Sequence, residues 1–109
     1  MKPVIVEEGT SPVILGMPHL GHHLPNDIKA RLNPLGLRID DTDWWIDDLY
    51  KGLLTSPTVV KATFSRYVID ANRDPNPNSE SLYPGQNTTG VCTSTTFDNE
   101  LIYLNGYLP

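Results

Sequence analysis

Apolar positions along this chain come in short runs separated by turn formers. Val4 to Val6 reads as a short strand that ends at Glu7-Glu8-Gly9. Val13-Ile14-Leu15-Gly16-Met17 is unbroken and bounded by Pro12 and Pro18. Such a run predicts a strand buried on both faces, as in an α/β sheet. Pro18 to Pro25 carries three histidines and is expected to be a loop. Thr58 to Phe64 is rich in β-branched residues and predicts a strand, and Tyr67 to Ala71 predicts a second. Only Ser65 and Arg66 separate the two, a poor pair for a type I′ turn. They form either one long bent strand or an antiparallel pair, and both options give a mixed sheet.

Helical spacing is shorter-lived. Asn26 is placed to cap a helix from Asp27 to about Leu32, limited by Pro34 and Gly36. A longer helix is expected from about Asp43 to Leu54, after the capping cluster Asp40-Asp41-Thr42. Trp45, Leu49 and Leu53 would form its apolar stripe, with Asp43, Asp47 and Lys51 on another. From Asn72 to Gly90 nearly every residue is a turn former, and residues before proline are pushed out of the helical region. Loops of that length are usually functional or disordered. Val91 to Thr96 and Leu101 to Leu104 are two last candidate extended runs.

Length then bounds the reading: 109 residues make a single domain with one modest core. Ten prolines and eight glycines favour short elements and shaped loops over a helical bundle. The net charge is −5, with no run of Lys or Arg, so neither nucleic acid nor a membrane surface is an expected partner. An anion would have to be met by a few local cations, which singles out Arg66 and Arg73. Cys92 is the sole cysteine, so no internal disulfide can form, and a reducing, cytoplasmic compartment is expected. The amino-terminal apolar stretch is too short for a signal peptide, and no run is long enough to span a membrane.

Candidate chemistry gathers just after strands, where open α/β sheets place their sites. His19 follows one strand directly and could ligate a metal, act as a base, or be an ordinary loop histidine. His22 and His23 lie on the same loop, but His-x-x-His is a weak metal signal. Asp43 stands beside two tryptophans; a carboxylate with an imidazole is a usual zinc donor set. Asp40, Asp41, Asp47 and Asp48 read as a solvated, helix-stabilising face, with Asp47 and Lys51 an i,i+4 ion pair. Arg66 and Arg73 could fork hydrogen bonds to a carboxylate, and Asn72 could donate to a developing oxyanion. The plainer alternative is an internal Asp70–Arg73 or Asp74–Arg66 ion pair that ties down the loop. Cys92 as a nucleophile is a further option, but a lone cysteine in such a segment is more often a small buried residue.

Four ordered segments together resemble the N-formylglutamate amidohydrolase family. They are Pro18-His19-Leu20-Gly21, Asp41-Thr42-Asp43-Trp44, Phe64-Ser65-Arg66-Tyr67-Val68-Ile69-Asp70-Ala71-Asn72-Arg73, and Leu82-Tyr83-Pro84-Gly85-Gln86 with Thr88-Thr89-Gly90. The resemblance covers about residues 12 to 104. It implies an α/β fold similar to zinc-dependent exopeptidases, a mixed central sheet flanked by helices. It implies hydrolysis of the N-acyl amide of a glutamate-like amino acid, giving formate and glutamate in the type reaction of histidine breakdown. His19 and Asp43 match family metal positions for a divalent ion, zinc first. Arg66, Asn72, Arg73 and Gln86 match substrate-binding positions, with Asn72 and Arg73 also in catalytic roles.

Leu20 and Trp45 depart from the family pattern, which has serine and often histidine there. Family members are also two to three times longer and carry further histidine and glutamate positions, so residues 1–109 are expected to be one partial, amino-terminal hydrolase domain. Two functions follow: a metal-assisted amidohydrolase acting on a small anionic N-acyl amino acid, or an inactive fragment that at most binds a small carboxylate. A cysteine amidohydrolase using Cys92 is a third, and would be indifferent to chelators. The first requires His19 and Arg73 to meet at one rim of the sheet.

Overall fold

The computed structural model describes residues 2–76 and 89–109. Three strands form one mixed sheet in the order β1-β3-β2: β1 Val4–Glu7, β2 Ile14–Met17 and β3 Thr58–Ala62. β3 is central, as its β-branched run Thr58-Val59-Val60 suits. It pairs antiparallel with β1, from Val4 opposite Ala62 to Glu7 opposite Val59. It pairs parallel with β2, from Ile14 opposite Thr58 to Met17 opposite Lys61. The expected mixed sheet is therefore present. β2 lies at its edge, so the expectation of burial on both faces fails: Ile14 is 71% exposed, and only Met17 is buried.

The parallel pairing continues beyond β2 and β3 and decides where the site lies. The His23 N–H donates to the Thr63 carbonyl at 3.1 Å, and the Ser65 N–H donates to the His23 carbonyl at 2.9 Å. The loop after β2 thus runs alongside the chain after β3. Gly21 makes that approach possible, because a Cβ there would stand 2.4 Å from the Phe64 carbonyl oxygen. Residues 65–68 turn instead of continuing as a strand, with the Val68 N–H donating to the Ser65 carbonyl at 2.9 Å. The expected strand from Tyr67 to Ala71 is replaced by this turn. It sends Tyr67 and Asp70 inward and leaves Ile69 exposed.

The helices are single turns: α1 Asn26–Lys29, α2 Pro34–Leu37 and α3 Ile46–Tyr50. Asn26 is the first helical residue, not the cap; Pro25 precedes it and no side chain caps α1. Asn33 is the true cap, its side chain accepting from the Gly36 N–H at 2.8 Å at the start of α2. Pro34 opens α2, where its missing N–H costs nothing. The core is Leu32, Ile39, Tyr67, Ile102 and Tyr103, with Leu24 and Ile28 against it. The end of the chain closes it: Leu32 bridges Tyr103, and the Asn33 N–H donates to the Ile102 carbonyl at 2.9 Å. Burial holds the Tyr103 hydroxyl above the ordinary phenol range.

α3 is much shorter than the helix predicted over residues 43–54. Trp45 precedes it in the left-handed region at φ 64°, which ends helical geometry on that side. The predicted stripe faces solvent: Trp45 is 76% exposed, Leu49 66% and Leu53 65%. Asp47 accepts from the neighbouring Asp48 N–H and forms no ion pair with Lys51, which lies past the helix end in an extended conformation.

Candidate functional site

Because β2 and β3 are parallel, both release their chains at the same rim. β2 delivers His19 and β3 delivers Arg66, and the two meet on Asp70. The Asp70 side chain is fully buried. Its Oδ1 lies 2.7 Å from Nε2 of His19 and accepts the Asn72 N–H at 2.9 Å. Its Oδ2 accepts from Nη2 of Arg66 at 2.8 Å, with Nη1 of Arg73 at 3.7 Å. Burial pushes the Asp70 carboxyl up, but His19, the Asn72 N–H and Arg66 outweigh it and hold the group below the usual carboxylate range.

Asp43 completes the arrangement from a third stretch of chain. Its N–H donates to the His19 carbonyl at 2.9 Å, and its Oδ2 faces Nδ1 of His19 at 3.9 Å. His19 is therefore nearly buried between two carboxylates, one wholly inside and one half exposed to solvent. Two atoms bound to one ion at about 2.0–2.2 Å each are about 3.3–3.6 Å apart at the tetrahedral angle and at most about 4.4 Å apart at any angle. At 3.9 Å, Nδ1 of His19 and Oδ2 of Asp43 lie inside the outer limit and outside tetrahedral spacing, so a small inward turn of the half-exposed Asp43 side chain would let the pair serve as two donors to a divalent ion. Among the described residues, no group of three or more His, Cys, Asp or Glu side chains is set to hold a metal.

The arginines are held individually. Arg66 is buried, donates from Nη1 to the Asp41 carbonyl at 3.3 Å, and lies 4.6 Å over the Phe97 ring. Arg73 is partly exposed. It donates from Nε to the Thr89 carbonyl at 3.0 Å and from Nη2 to Thr89 Oγ1 at 3.1 Å. Nη1 donates to the Asn72 carbonyl at 2.8 Å. The Asn72 backbone is thus engaged at both ends, while its residue is exposed.

The meeting of His19 and Arg73 holds, since both reach one carboxylate. Of the internal ion pairs expected, Asp70–Arg73 is present at 3.7 Å, while the shorter contact, Arg66–Asp70 at 2.8 Å, is a pairing not expected from the sequence. Sequence reasoning missed the weight of two aspartates. Asp70 is the hub of the site. Asp41 is no solvated surface group: its Oδ2 accepts from the Tyr67 hydroxyl at 2.8 Å and the Phe97 N–H at 3.2 Å. Burial, then Asp41, hold the Tyr67 phenol well above its ordinary range. The available signal was a carboxylate embedded in apolar residues, as Asp70 is after Tyr67-Val68-Ile69.

Other candidates fall elsewhere. His22 stacks on Trp44 with ring centroids 6.4 Å apart. With His23, Ile5 and Leu20 it lines a mostly apolar cavity of about 380 Å³ that excludes His19, Asp43 and both arginines. Cys92 is exposed, contrary to the expectation of a buried thiol. Gln86 and its neighbours Leu82 to Gly85 and Thr88 lie outside the described residues. No helix among the described residues is long and apolar enough to cross a membrane.

A family model described as N-formylglutamate amidohydrolase matches residues 11–108. The N-formylglutamate deformylase of Pseudomonas putida is 34% identical over 109 residues, covering 99% of this chain and 40% of the relative. That of Pseudomonas aeruginosa is 33% identical over 104 residues, covering 94% and 38%. The solved N-formylglutamate amidohydrolase from Ralstonia eutropha JMP134 is similar at TM-score 0.62 and 26% identity, over 94% of this chain and 41% of that one. The chain spans about 40% of the length of these relatives. It belongs to the N-formylglutamate amidohydrolase family.

Proposed function

We propose that this chain carries the metal-facing and anion-binding half of an amidohydrolase site for N-formylglutamate or a similar N-acyl amino acid. The convergence of His19, Arg66 and Arg73 on buried Asp70, with Asp43 across the imidazole, carries this reading. The relatives named N-formylglutamate deformylase supply the substrate class.

Nδ1 of His19 and the Asp43 carboxylate would hold a divalent cation, zinc by the chemistry of the donor pair. When bound, such an ion acidifies a water and polarises the acyl oxygen. The chain's own groups would supply anion binding and oxyanion donation. Arg73, partly open to solvent, meets a substrate carboxylate through donors not committed to Thr89. Arg66 adds positive charge from its buried seat. The Asn72 amide donates to the acyl oxygen as charge develops there. Gln86 joins the polar rim on its sequence pattern. The single exposed thiol fits a reducing, cytoplasmic setting, and likeness to the zinc-dependent exopeptidases would follow from the same donor set.

Hydrolysis of N-formylglutamate with and without a chelator tests the reading. Activity is expected to vanish on chelation and in His19→Ala, while Arg73→Ala and Arg66→Ala raise KM. Unchanged KM in both arginine variants would contradict the clamp. One observation favours a second reading, a non-catalytic chain that binds only a small carboxylate. The arginine donors are largely satisfied internally, by Asp70, Asp41, Thr89 and Asn72. Zinc-independent glutamate binding without turnover would select it.

A further inference from the structure

We propose that Asp70 is a positioning residue that fixes which nitrogen of His19 is free, and that this requires acceptors at both of its oxygens. The inference rests on the reading of His19 and Asp43 as the metal-facing pair, and extends it to a group that touches neither metal nor substrate. Apart from the imidazole, whose role depends on its tautomer, the polar partners of the Asp70 carboxylate among the described residues are donors. Oδ1 meets Nε2 of His19 and the Asn72 N–H, while Oδ2 meets Nη2 of Arg66, with Nη1 of Arg73 further out. An ionised carboxylate only accepts, so a neutral imidazole at His19 carries its proton on Nε2. The lone pair is left on Nδ1, the atom that faces Asp43. A carboxylate behind an imidazole in this way sets both ring orientation and tautomer.

An amide at position 70 cannot do the same. Turned one way, its NH₂ points at Arg66 and Arg73, donor against two cations. Turned the other way, its NH₂ points at Nε2 of His19 and the Asn72 N–H. The second mismatch is the smaller one, because bonds to charged donors are the stronger ones. His19 can then accept at Nε2 only by moving its proton to Nδ1, where it blocks the metal-facing lone pair. Asp70 therefore ties the ligand histidine and the arginine clamp to a single group: the arginines claim one oxygen, and that choice reserves the other for His19.

Two-bond ¹H–¹⁵N spectra of the histidine side chains test this, recorded above the ordinary imidazole titration range. In the unaltered chain, His19 is expected as the Nε2–H tautomer. In Asp70→Asn it is expected to move toward Nδ1–H, with zinc affinity down about 10–100-fold. A purely structural role for Asp70 would leave the tautomer of a folded variant unchanged, and that result would overturn the proposal. If Asp70→Asn does not fold, the unaltered chain decides: finding Nδ1–H there overturns it equally. Added zinc should shift Nδ1 and leave the Nε2 proton in place. An Nε2–H tautomer untouched by zinc supports the positioning role while removing the metal reading, so the two fail separately.

Discussion

Around Asp70 the chain buries charge and surrounds it with partners; between Trp44 and Leu54 it turns large apolar side chains toward water. In the first region one carboxylate is met by an imidazole, a guanidinium and a backbone N–H, all within 2.9 Å. Those partners come from two stretches of chain, the loop after β2 and the segment around Asp70 itself, so neither can shift without leaving a buried polar group unpaired. In the second region, α3 is a single turn with an exposed stripe. A helix that short draws little stability from its own hydrogen bonds. The difference shows where this chain's geometry is over-determined: in the polar centre that joins the ends of β2 and β3, and not in the aromatic-rich segment around α3.

The sharpest way to break that contrast is to remove the hub. Asp70→Ala leaves Arg66 buried without its carboxylate and should cost about 3–5 kcal/mol in a urea unfolding titration. A cost below about 1 kcal/mol, the scale of a surface pair, would mean that the centre is not rigidly coupled. Acid should reach the same group. The Asp70 carboxyl is depressed in the folded chain, so the unfolded chain takes up the proton first. Its stabilising contribution is full above the ordinary aspartate value of about 3.9 and is lost as pH falls below it toward the folded value. Asp70→Asn should flatten that acid limb of the stability profile.

A milder disturbance acts on the seam that carries His19. Gly21→Ala would place a Cβ against the Phe64 backbone and push the two post-strand segments apart. The expected cost is about 1–3 kcal/mol, with weaker zinc binding because His19 moves. The smallest effect belongs to the exposed segment. Trp45→Gly relieves a left-handed residue and removes a side chain that covers little, so stability should stay within about 0.5 kcal/mol. A loss above about 2 kcal/mol there would show that the segment is as firmly tied as the centre.

Much of the sheet was legible because β-branched and apolar runs declare themselves locally. Val4 to Val6 and Thr58 to Ala62 are strands for that reason. The helix over residues 43–54 was misread because four-residue spacing of Trp45, Leu49 and Leu53 says which side chains share a face, not whether anything covers it. Tyr67 to Ala71 has strand composition, but the Ser65–Val68 turn and the burial of Tyr67 in the core override it. His19, Asp43, Arg66 and Arg73 could be picked out as chemistry after strands and on family motifs. Asp70 and Asp41 could not be ranked the same way. Their partners lie up to 56 positions away, and whether a carboxylate meets water or Tyr67, Phe97 and His19 is decided only by tertiary pairing.

Calorimetric titration of the chain with zinc addresses the convergence most directly. One equivalent is expected, lost in His19→Ala and Asp43→Ala and kept in Arg66→Ala, if the end of β2 and the segment carrying Asp43 build a cation-holding pair beside the arginine clamp. No uptake by the unaltered chain, or uptake indifferent to His19→Ala, would contradict it.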